Sequence, residues 1–206
     1  MTLHQIIALV AGILIGIAQL TYIIDVFRRK VTPSVLSWSG WALLMGAGFV
    51  SLFMEKGWQS SLTGLLISVI GCASIAMIGL ILKNYSLIKS DWKFLIAGTV
   101  CMVFYLVTEN VVATTLFAIT ADFILAIPTF KKAWNNPESE KTNSWIFGFT
   151  SWSLTLLISF NHDWLHVAWT LYLFAFNATM LWLSFSGNLN TGYPDRFFRY
   201  SRKMSL

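Results

Sequence analysis

Seven apolar stretches separated by short polar connections dominate the sequence. They occupy residues 4–27, 34–54, 61–82, 93–108, 111–130, 144–160 and 164–186. A helix needs about 20 apolar residues to cross the hydrocarbon core of a bilayer, and these stretches approach or exceed that length. Only 11% of the residues are charged, whereas a soluble domain carries about 25%. The sequence therefore predicts an all-α membrane protein with seven transmembrane helices.

The cations indicate how these helices are oriented. They lie in the connections after the first, third and fifth helices and in the tail, and the opposite side has Lys56 as its single cation. The connections hold Arg28, Arg29, Lys30, Lys83, Lys89, Lys93, Lys131, Lys132 and Lys141. Because Lys and Arg accumulate in cytoplasmic loops, we expect the N-terminus outside and the C-terminus in the cytoplasm. An integral protein of the bacterial inner (cell) membrane is the default localisation.

A short motif occurs twice and indicates an internal duplication. Phe27-Arg28-Arg29 is followed by Pro33 and Trp38, and Phe130-Lys131-Lys132 is followed by Pro137 and Trp145. We therefore predict two three-helix repeats, residues 1–83 and 110–187, joined by a linker helix in 84–109, with a basic and aromatic tail at 188–206. The fourth helix gives both repeats the same direction, so this 3+1+3 arrangement is parallel, with the substrate site expected between the repeats.

This layout resembles the PQ-loop superfamily, which includes the SWEET and SemiSWEET sugar transporters, the lysosomal cystine and basic amino-acid carriers, and KDEL receptors. Neither repeat has the Pro-Gln pair itself: Gln19 and Thr21-Tyr22 occupy that zone in the first repeat, and Pro128-Thr129 lies about one turn later in the second. The resemblance implies a transporter for a sugar or another small polar solute, working by alternating access around a central cavity.

In the SWEET branch the third helix of each unit tends to supply an Asn to the sugar site, with a Trp nearby. Asn177 fits that place in the seventh helix, whereas its counterpart in the first repeat falls near Gly71-Cys72, which has no amide. The amide of Asn177 suits a substrate with hydroxyl or amide groups. The alternative is that it joins two helices by a hydrogen bond.

Two carboxylates are candidates for proton coupling. Asp122 lies nine residues before Lys131, about 13 Å along a helix, and so well inside the membrane. Intramembrane acids usually face a cavity or a partner, and we expect Asp122 to bind and release a proton. Asp25 stands three and four residues before Arg28 and Arg29, so a local salt bridge is its main alternative role. Proton coupling and facilitated diffusion both stay open.

Aromatic side chains and Gln19 complete the predicted substrate site. Flat indole faces can stack on a sugar or a heterocycle, whereas tryptophans at helix ends ordinarily anchor the protein at the membrane interface. The candidate binding residues are Trp38, Trp145, Trp152, Trp169 and Gln19, with Trp41 as a further cavity candidate. Pro128 interrupts the fifth apolar stretch, so we expect a kink there that acts as a hinge.

Other functional classes fit the sequence less well. The transmembrane stretches contain no converging nucleophile and base, metal-ligand set or cofactor motif, so we expect neither an enzyme nor a cofactor. His162, Asp163 and His166 cluster before the seventh helix but lack a third convincing metal ligand, so we expect no metal site.

The expected partners are the lipid bilayer and a small polar solute. No nucleic-acid motif accompanies the basic tail, so we expect no nucleic-acid binding. Homo-oligomerisation stays open. The alternative function is a membrane receptor or sorting protein on the same fold. It would bind a partner through a cytoplasmic basic face made of Arg28, Arg29, Lys131 and Lys132.

Overall fold

The computed structural model of the chain describes residues 2–58, 61–161 and 164–185, and these contain seven α-helices and no β-strand. The helices are α1 (Leu3–Phe27), α2 (Val35–Lys56), α3 (Ser61–Ile81), α4 (Trp92–Val107), α5 (Val111–Asn135), α6 (Ser144–Ser159) and α7 (Trp164–Phe185). Short 3₁₀ turns, Lys89–Asp91 and Pro137–Glu140, precede α4 and α6. The prediction of an all-helical chain with seven helices is confirmed.

Four of the helical segments in the described residues are long and apolar enough to cross a membrane. They are Leu3–Phe27, Lys89–Val107, Val111–Asn135 and Trp164–Phe185. Three shorter apolar stretches accompany them: Val35–Ser51, Leu65–Ile81 and Ser144–Ser159. The composition and these spans fit an integral membrane protein.

Polar residues at the ends of the apolar stretches fix where the helices begin. The Thr2 hydroxyl accepts a hydrogen bond from the Gln5 amide, and the Gln5 side chain accepts one from the Thr2 amide, which is a capping box. Ser34 and Asn110 cap α2 and α5 through their side-chain oxygens. Each cap satisfies backbone donors that a helix start leaves without an intrahelical acceptor.

The helices pack as two groups that meet through two pairs. In the first group α3 contacts both α1 and α2, and in the second α7 contacts both α5 and α6. The groups meet where α1 packs on α6 and where α2 packs on α5. Helix α4 packs on α5 and on α2.

The connections after α1, α3 and α5 meet at one end of the bundle, which we call the basic end. The Thr32 amide donates to the Ser139 carbonyl at 3.0 Å, joining the α1–α2 and α5–α6 connections. The Asn84 side chain donates to the carbonyls of Val26 and Val31, so the α3–α4 connection is held there too. The opposite end, called the far end, holds the start of α1 near the α6–α7 connection, where Asn161 lies 2.9 Å from His4.

One helix boundary differs from the prediction. The fifth apolar stretch was expected to end at residue 130, with Lys131 and Lys132 in the following connection, but α5 continues to Asn135. Lys132 is buried and pairs with Glu140 rather than lying in a solvent-exposed connection, so the helix can continue past it. The predicted tail, 188–206, lies outside the described residues.

Leu125 on α5 fills the space beside two glycines, Gly40 on α2 and Gly98 on α4. A Cβ atom at Gly98 would lie 2.7 Å from the Leu125 Cγ. We therefore expect Gly98→Ala to lower the stability of the detergent-purified protein by about 1–3 kcal/mol, because overpacking forces neighbours out of place. The measurement is thermal unfolding followed by tryptophan fluorescence.

The matched control is Gly16→Ala on α1, where nothing lies within 4 Å of an added Cβ. This variant should unfold at or above the temperature of the unmodified protein, because Ala favours a helix over Gly by up to about 1 kcal/mol. Equal unfolding temperatures for the two alanine variants would show that Leu125 is not closely packed.

Candidate functional site

The basic end is joined by a buried ion pair between α5 and the α5–α6 connection. The Glu140 side chain is 0% exposed and the Lys132 Nζ lies 2.5 Å from its Oε1. The Tyr22 hydroxyl donates to the Glu140 Oε2 at 2.9 Å, and the Lys132 ammonium also donates to the carbonyl of Thr32. We call Tyr22, Lys132 and Glu140 the polar junction. It connects α1 and the α1–α2 connection with the end of α5.

Sequence reasoning missed Glu140, although it is the acid at the centre of the polar junction. It lies in the short 3₁₀ turn that begins at Pro137, where no apolar periodicity signals burial. The available signal was indirect, since an Arg or Lys next to an apolar stretch needs a partner once it is buried. The Trp145 indole N–H donates to the Glu140 carbonyl at 3.1 Å and fixes the same turn.

Asp25, near the end of α1, adds a second polar contact with the α5–α6 connection. It is 7% exposed, it accepts a hydrogen bond from the Thr142 hydroxyl at 2.7 Å, and its Oδ1 lies 3.6 Å from the Lys30 Nζ. The predicted alternative was a helical ion pair with Arg28 or Arg29. The cation beside Asp25 is Lys30 instead, because α1 ends at Phe27 and Arg29 adopts a left-handed backbone conformation, with a φ of 56°.

An aromatic cluster lies next to the polar junction. Tyr22 packs on Trp38 with ring centroids 4.6 Å apart, and Trp38 packs edge-on against Trp41 at 5.1 Å. Phe176 on α7 contacts both Trp41 and Trp145. The rings therefore connect α1, α2, α6 and α7 across the interior of the bundle.

Two of the clustered tryptophans have unsatisfied donors. Trp38 and Trp41 are 6% and 5% exposed, and neither indole N–H has a hydrogen-bond partner within the described part of the chain. A buried N–H without an acceptor is costly, so such a donor calls for a water molecule or a ligand. Trp145 is buried as well, so neither Trp38 nor Trp145 lies on the outer surface of the bundle.

The tryptophans outside this aromatic cluster are all at least partly exposed. Those at helix ends, Trp58, Trp92, Trp134 and Trp164, are about half exposed or more, as interfacial anchors are. Trp152 and Trp169 are partly exposed, and the Trp169 ring lies 6.1 Å from that of Tyr172.

Asp122 lies near the middle of α5 and is 3% exposed. The Tyr172 hydroxyl on α7 donates to its Oδ2 at 2.5 Å. The carboxylate is about 20 Å from the end of α5 at Asn135, at a rise of 1.5 Å per residue. This is the buried, partnered position that an intramembrane acid requires.

Asn177 and Gln19 both lie against glycines of neighbouring helices. The Asn177 Nδ2 donates to the Leu173 carbonyl of its own helix at 2.9 Å, and its Oδ1 lies against Gly148 on α6. The amide of Gln19 lies against Gly71 on α3. In both places the absence of a Cβ on the glycine makes room for the amide.

Pro128 lies inside α5, which continues through it, and its side chain is buried. The proline has no N–H, so one carbonyl of the preceding turn lacks its usual helical donor. The hydroxyl of the adjacent Thr129 is fully buried and has no partner in the residues described. This segment of α5 is therefore less completely hydrogen-bonded than the rest of a regular helix.

Burial is uneven along the bundle. In the described residues, α5 has no buried side chain before Ala121 and α7 has none before Thr170, whereas both helices are well buried towards the basic end. Helix α1 likewise has no buried residue before Ala11. In α1, α5 and α7 the buried side chains are thus concentrated towards the basic end.

The candidate metal ligands lie largely outside the described part of the chain. His162 and Asp163 are not described, and His166 is exposed on the first turn of α7. The described residues include no group of three or more His, Cys, Asp or Glu side chains positioned to hold a metal ion.

Comparison with models of protein families, with curated proteins and with solved structures found no significant match for this chain.

The polar junction gives a stability prediction. Lys132→Met should lower the stability in detergent by about 3–5 kcal/mol, because it leaves the Glu140 carboxylate buried without its cation. The double variant Lys132→Met with Glu140→Gln should recover part of the loss, because no unpaired charge remains. Thermal unfolding of the purified variants measures both.

The control is Lys141→Met, which breaks the ion pair of Lys141 with Glu138, whose side chains are 51% and 70% exposed. Exposed pairs of this kind contribute about 0–1 kcal/mol. Equal losses for Lys132→Met and Lys141→Met would mean that the Lys132–Glu140 pair is not desolvated.

Proposed function

We propose that the protein is a membrane transporter that carries a small polar solute by alternating access between two three-helix units. The observation that carries this proposal is the unequal closure of the bundle. The polar junction and the aromatic cluster close the basic end, whereas the far halves of α1, α5 and α7 are poorly buried. In this proposal the described conformation is the one closed on the basic side. The basic end faces the cytoplasm in this proposal.

The helix contacts support the 3+1+3 organisation on which this mechanism depends. Adding four to each helix number turns the first group, in which α3 contacts α1 and α2, into the second, in which α7 contacts α5 and α6. Exchanging α1 with α5 and α2 with α6 also relates the two contacts between groups, since α1 on α6 becomes α5 on α2. A pattern that is unchanged by exchanging the groups is what two parallel repeats around an axis along the membrane normal produce.

The chemistry between the units favours a solute with hydrogen-bonding groups. The unpartnered indole N–H groups of Trp38 and Trp41 are donors that an oxygen of a solute or a water molecule would satisfy. Their rings offer flat faces for stacking. Sugars and other small hydroxylated or amide-bearing compounds carry both features. Trp38 and Trp41 are therefore the substrate-binding residues that the geometry supports, Trp145 and Asn177 stay candidates from the sequence, and Asp122 with Tyr172 is proposed as the proton-coupling pair.

Thermal unfolding of the purified protein against sugars, amino acids, nucleosides and vitamins tests the proposal, followed by uptake of each stabilising compound into reconstituted vesicles. A ligand at about 100 times its Kd adds about 2.7 kcal/mol of stability, which visibly raises the Tm. Uptake into vesicles that contain the protein, above protein-free vesicles, is the expected result. Compounds that bind without being transported would favour the receptor alternative instead.

A cross-link at the basic end should stop transport. The Thr32 amide and the Ser139 carbonyl are 3.0 Å apart, so the two backbones lie close enough for a disulfide. In a background with Cys72→Ala and Cys101→Ala, the pair Thr32→Cys with Ser139→Cys should lose uptake on oxidation and regain it with a reductant. The single variant Thr32→Cys is the control, and undiminished uptake through a fully formed cross-link would exclude opening at this end.

Asp122→Asn should separate proton coupling from solute movement. The amide keeps a hydrogen-bonding group facing the Tyr172 hydroxyl but cannot exchange a proton at neutral pH. We expect this variant to lose accumulation driven by an imposed pH gradient while retaining exchange of labelled for unlabelled solute. Asp122→Glu is the matched control, since it keeps an exchangeable carboxyl group at this position. Gradient-driven accumulation by Asp122→Asn equal to that of the unmodified protein would establish that Asp122 carries no proton.

A further inference from the structure

A polar cleft of about 390 Å³ lies at the basic end, outside the aromatic cluster. The end of α1 contributes Thr21, Ile24 and Arg28, the α5–α6 connection contributes Lys141 and Asn143, and Phe185 contributes from the end of α7. The cleft is thus bounded by residues from both helix groups. None of the roles proposed above for transport uses the exposed cations of this cleft.

We propose that this cleft binds the phosphate headgroup of an anionic phospholipid. Three cations line it, Arg28, Lys30 and Lys141, against one buried carboxylate, Asp25. Asp25 accepts a hydrogen bond from Thr142 and lies beside the Lys30 ammonium. Lys141 forms an ion pair with Glu138 at 2.9 Å. The cleft and its ion-pair partners therefore keep a net positive charge. The Arg28 guanidinium is a planar group that can donate to two phosphate oxygens at once.

Neutral donors complete the polar part of the cleft. The Thr21 hydroxyl and the Asn143 amide line it together with the cations. A phosphodiester has acceptor oxygens for both kinds of donor, and each Lys or Arg near an anionic membrane surface adds to the attraction. Basic clefts between helices at this level of the membrane are typical positions for lipid headgroups.

The apolar wall of the cleft favours a lipid over a soluble phosphorylated compound. Ile24 lines the cleft and is 46% exposed, and it belongs to an exposed apolar stripe on α1. The stripe consists of Ile13, Ile17, Leu20, Ile24 and Phe27, at alternating spacings of four and three residues. It extends about 21 Å along the helix, at 1.5 Å per residue, which gives acyl chains an apolar surface leading directly from the headgroup.

A lipid in this cleft would contact both sides of the closed basic end. Arg28 follows α1, whereas Lys141 and Asn143 precede α6. These are the two connections that the Thr32–Ser139 hydrogen bond joins. One headgroup would therefore hold the two connections together. The lipid site itself does not depend on transport.

Thermal unfolding of the full-length protein in a neutral detergent tests the proposal, with phosphatidylglycerol added in increasing amounts. Phosphatidylcholine serves as the zwitterionic lipid and glycerol 3-phosphate as the soluble phosphate. We expect phosphatidylglycerol to raise the Tm to a plateau, with little effect of the other two. The stabilisation should weaken at high salt, because ions screen the attraction between the exposed cations and the phosphate.

The double variant Arg28→Gln with Lys141→Gln should require about tenfold or more phosphatidylglycerol for half the Tm increase. The double variant Lys83→Gln with Lys89→Gln removes equal charge at the same end but outside the cleft, and its response should match that of the unmodified protein. The Tm of each variant without lipid reports separately on folding.

Three results would overturn the proposal. Equal loss of the lipid response in both double variants would indicate general surface charge, and an unchanged response in the cleft variant would place the lipid elsewhere. Stabilisation by glycerol 3-phosphate that matches phosphatidylglycerol would assign the cleft to a soluble phosphorylated compound.

Discussion

The buried ion pair between Lys132 and Glu140 is the interaction on which the basic end depends. Removing two charges from water costs several kcal/mol per ion, so the surroundings must supply close contacts and further hydrogen bonds. They do so through the Tyr22 hydroxyl, which donates to Glu140, and the Thr32 carbonyl, which accepts from Lys132. Tyr22 and Thr32 are separated from Glu140 and Lys132 by 118 and 100 positions in the sequence. Hydrogen bonding to the ion pair therefore fixes the end of α1 against the end of α5.

The two copies of the Phe-cation-cation motif adopt different structures, and the residues that follow explain this. After Phe27 the helix ends, and Arg29 takes a left-handed conformation before Val31-Thr32-Pro33. A residue before proline is restricted to extended conformations, and β-branched residues are weaker helix formers, so the chain leaves the helix early. After Phe130 the helix continues through Ala133, a strong helix former, and turns Lys132 inward to Glu140.

The sequence predicted the helices well and the site only in part. Apart from the end of α5, apolar stretches bounded by polar caps located each helix to within about two residues, because hydrophobicity and capping are local properties. Asp122 could be found for the same reason, since an acid inside an apolar stretch stands out. Glu140 could not, because its burial comes from Lys132 and Tyr22, and an acid in a short connection ordinarily lies in solvent. Asp25 was noticed, but its partners Thr142 and Lys30 depend on where α1 ends.

A charged closure suits the proposed transport mechanism, in which the bundle has to open. Joining two helix groups by apolar contacts alone would make separation cost in proportion to the area exposed to water. A buried ion pair behaves differently, because its Coulombic attraction largely offsets the desolvation of its members. If water reaches the pair, Lys132 and Glu140 gain hydration while they lose their mutual Coulombic attraction. The net free energy of separating them is therefore small. The pair therefore specifies one closed geometry at a small net free energy. The aromatic rings of Tyr22, Trp38 and Trp145 pack beside the pair and shield it from water in this geometry.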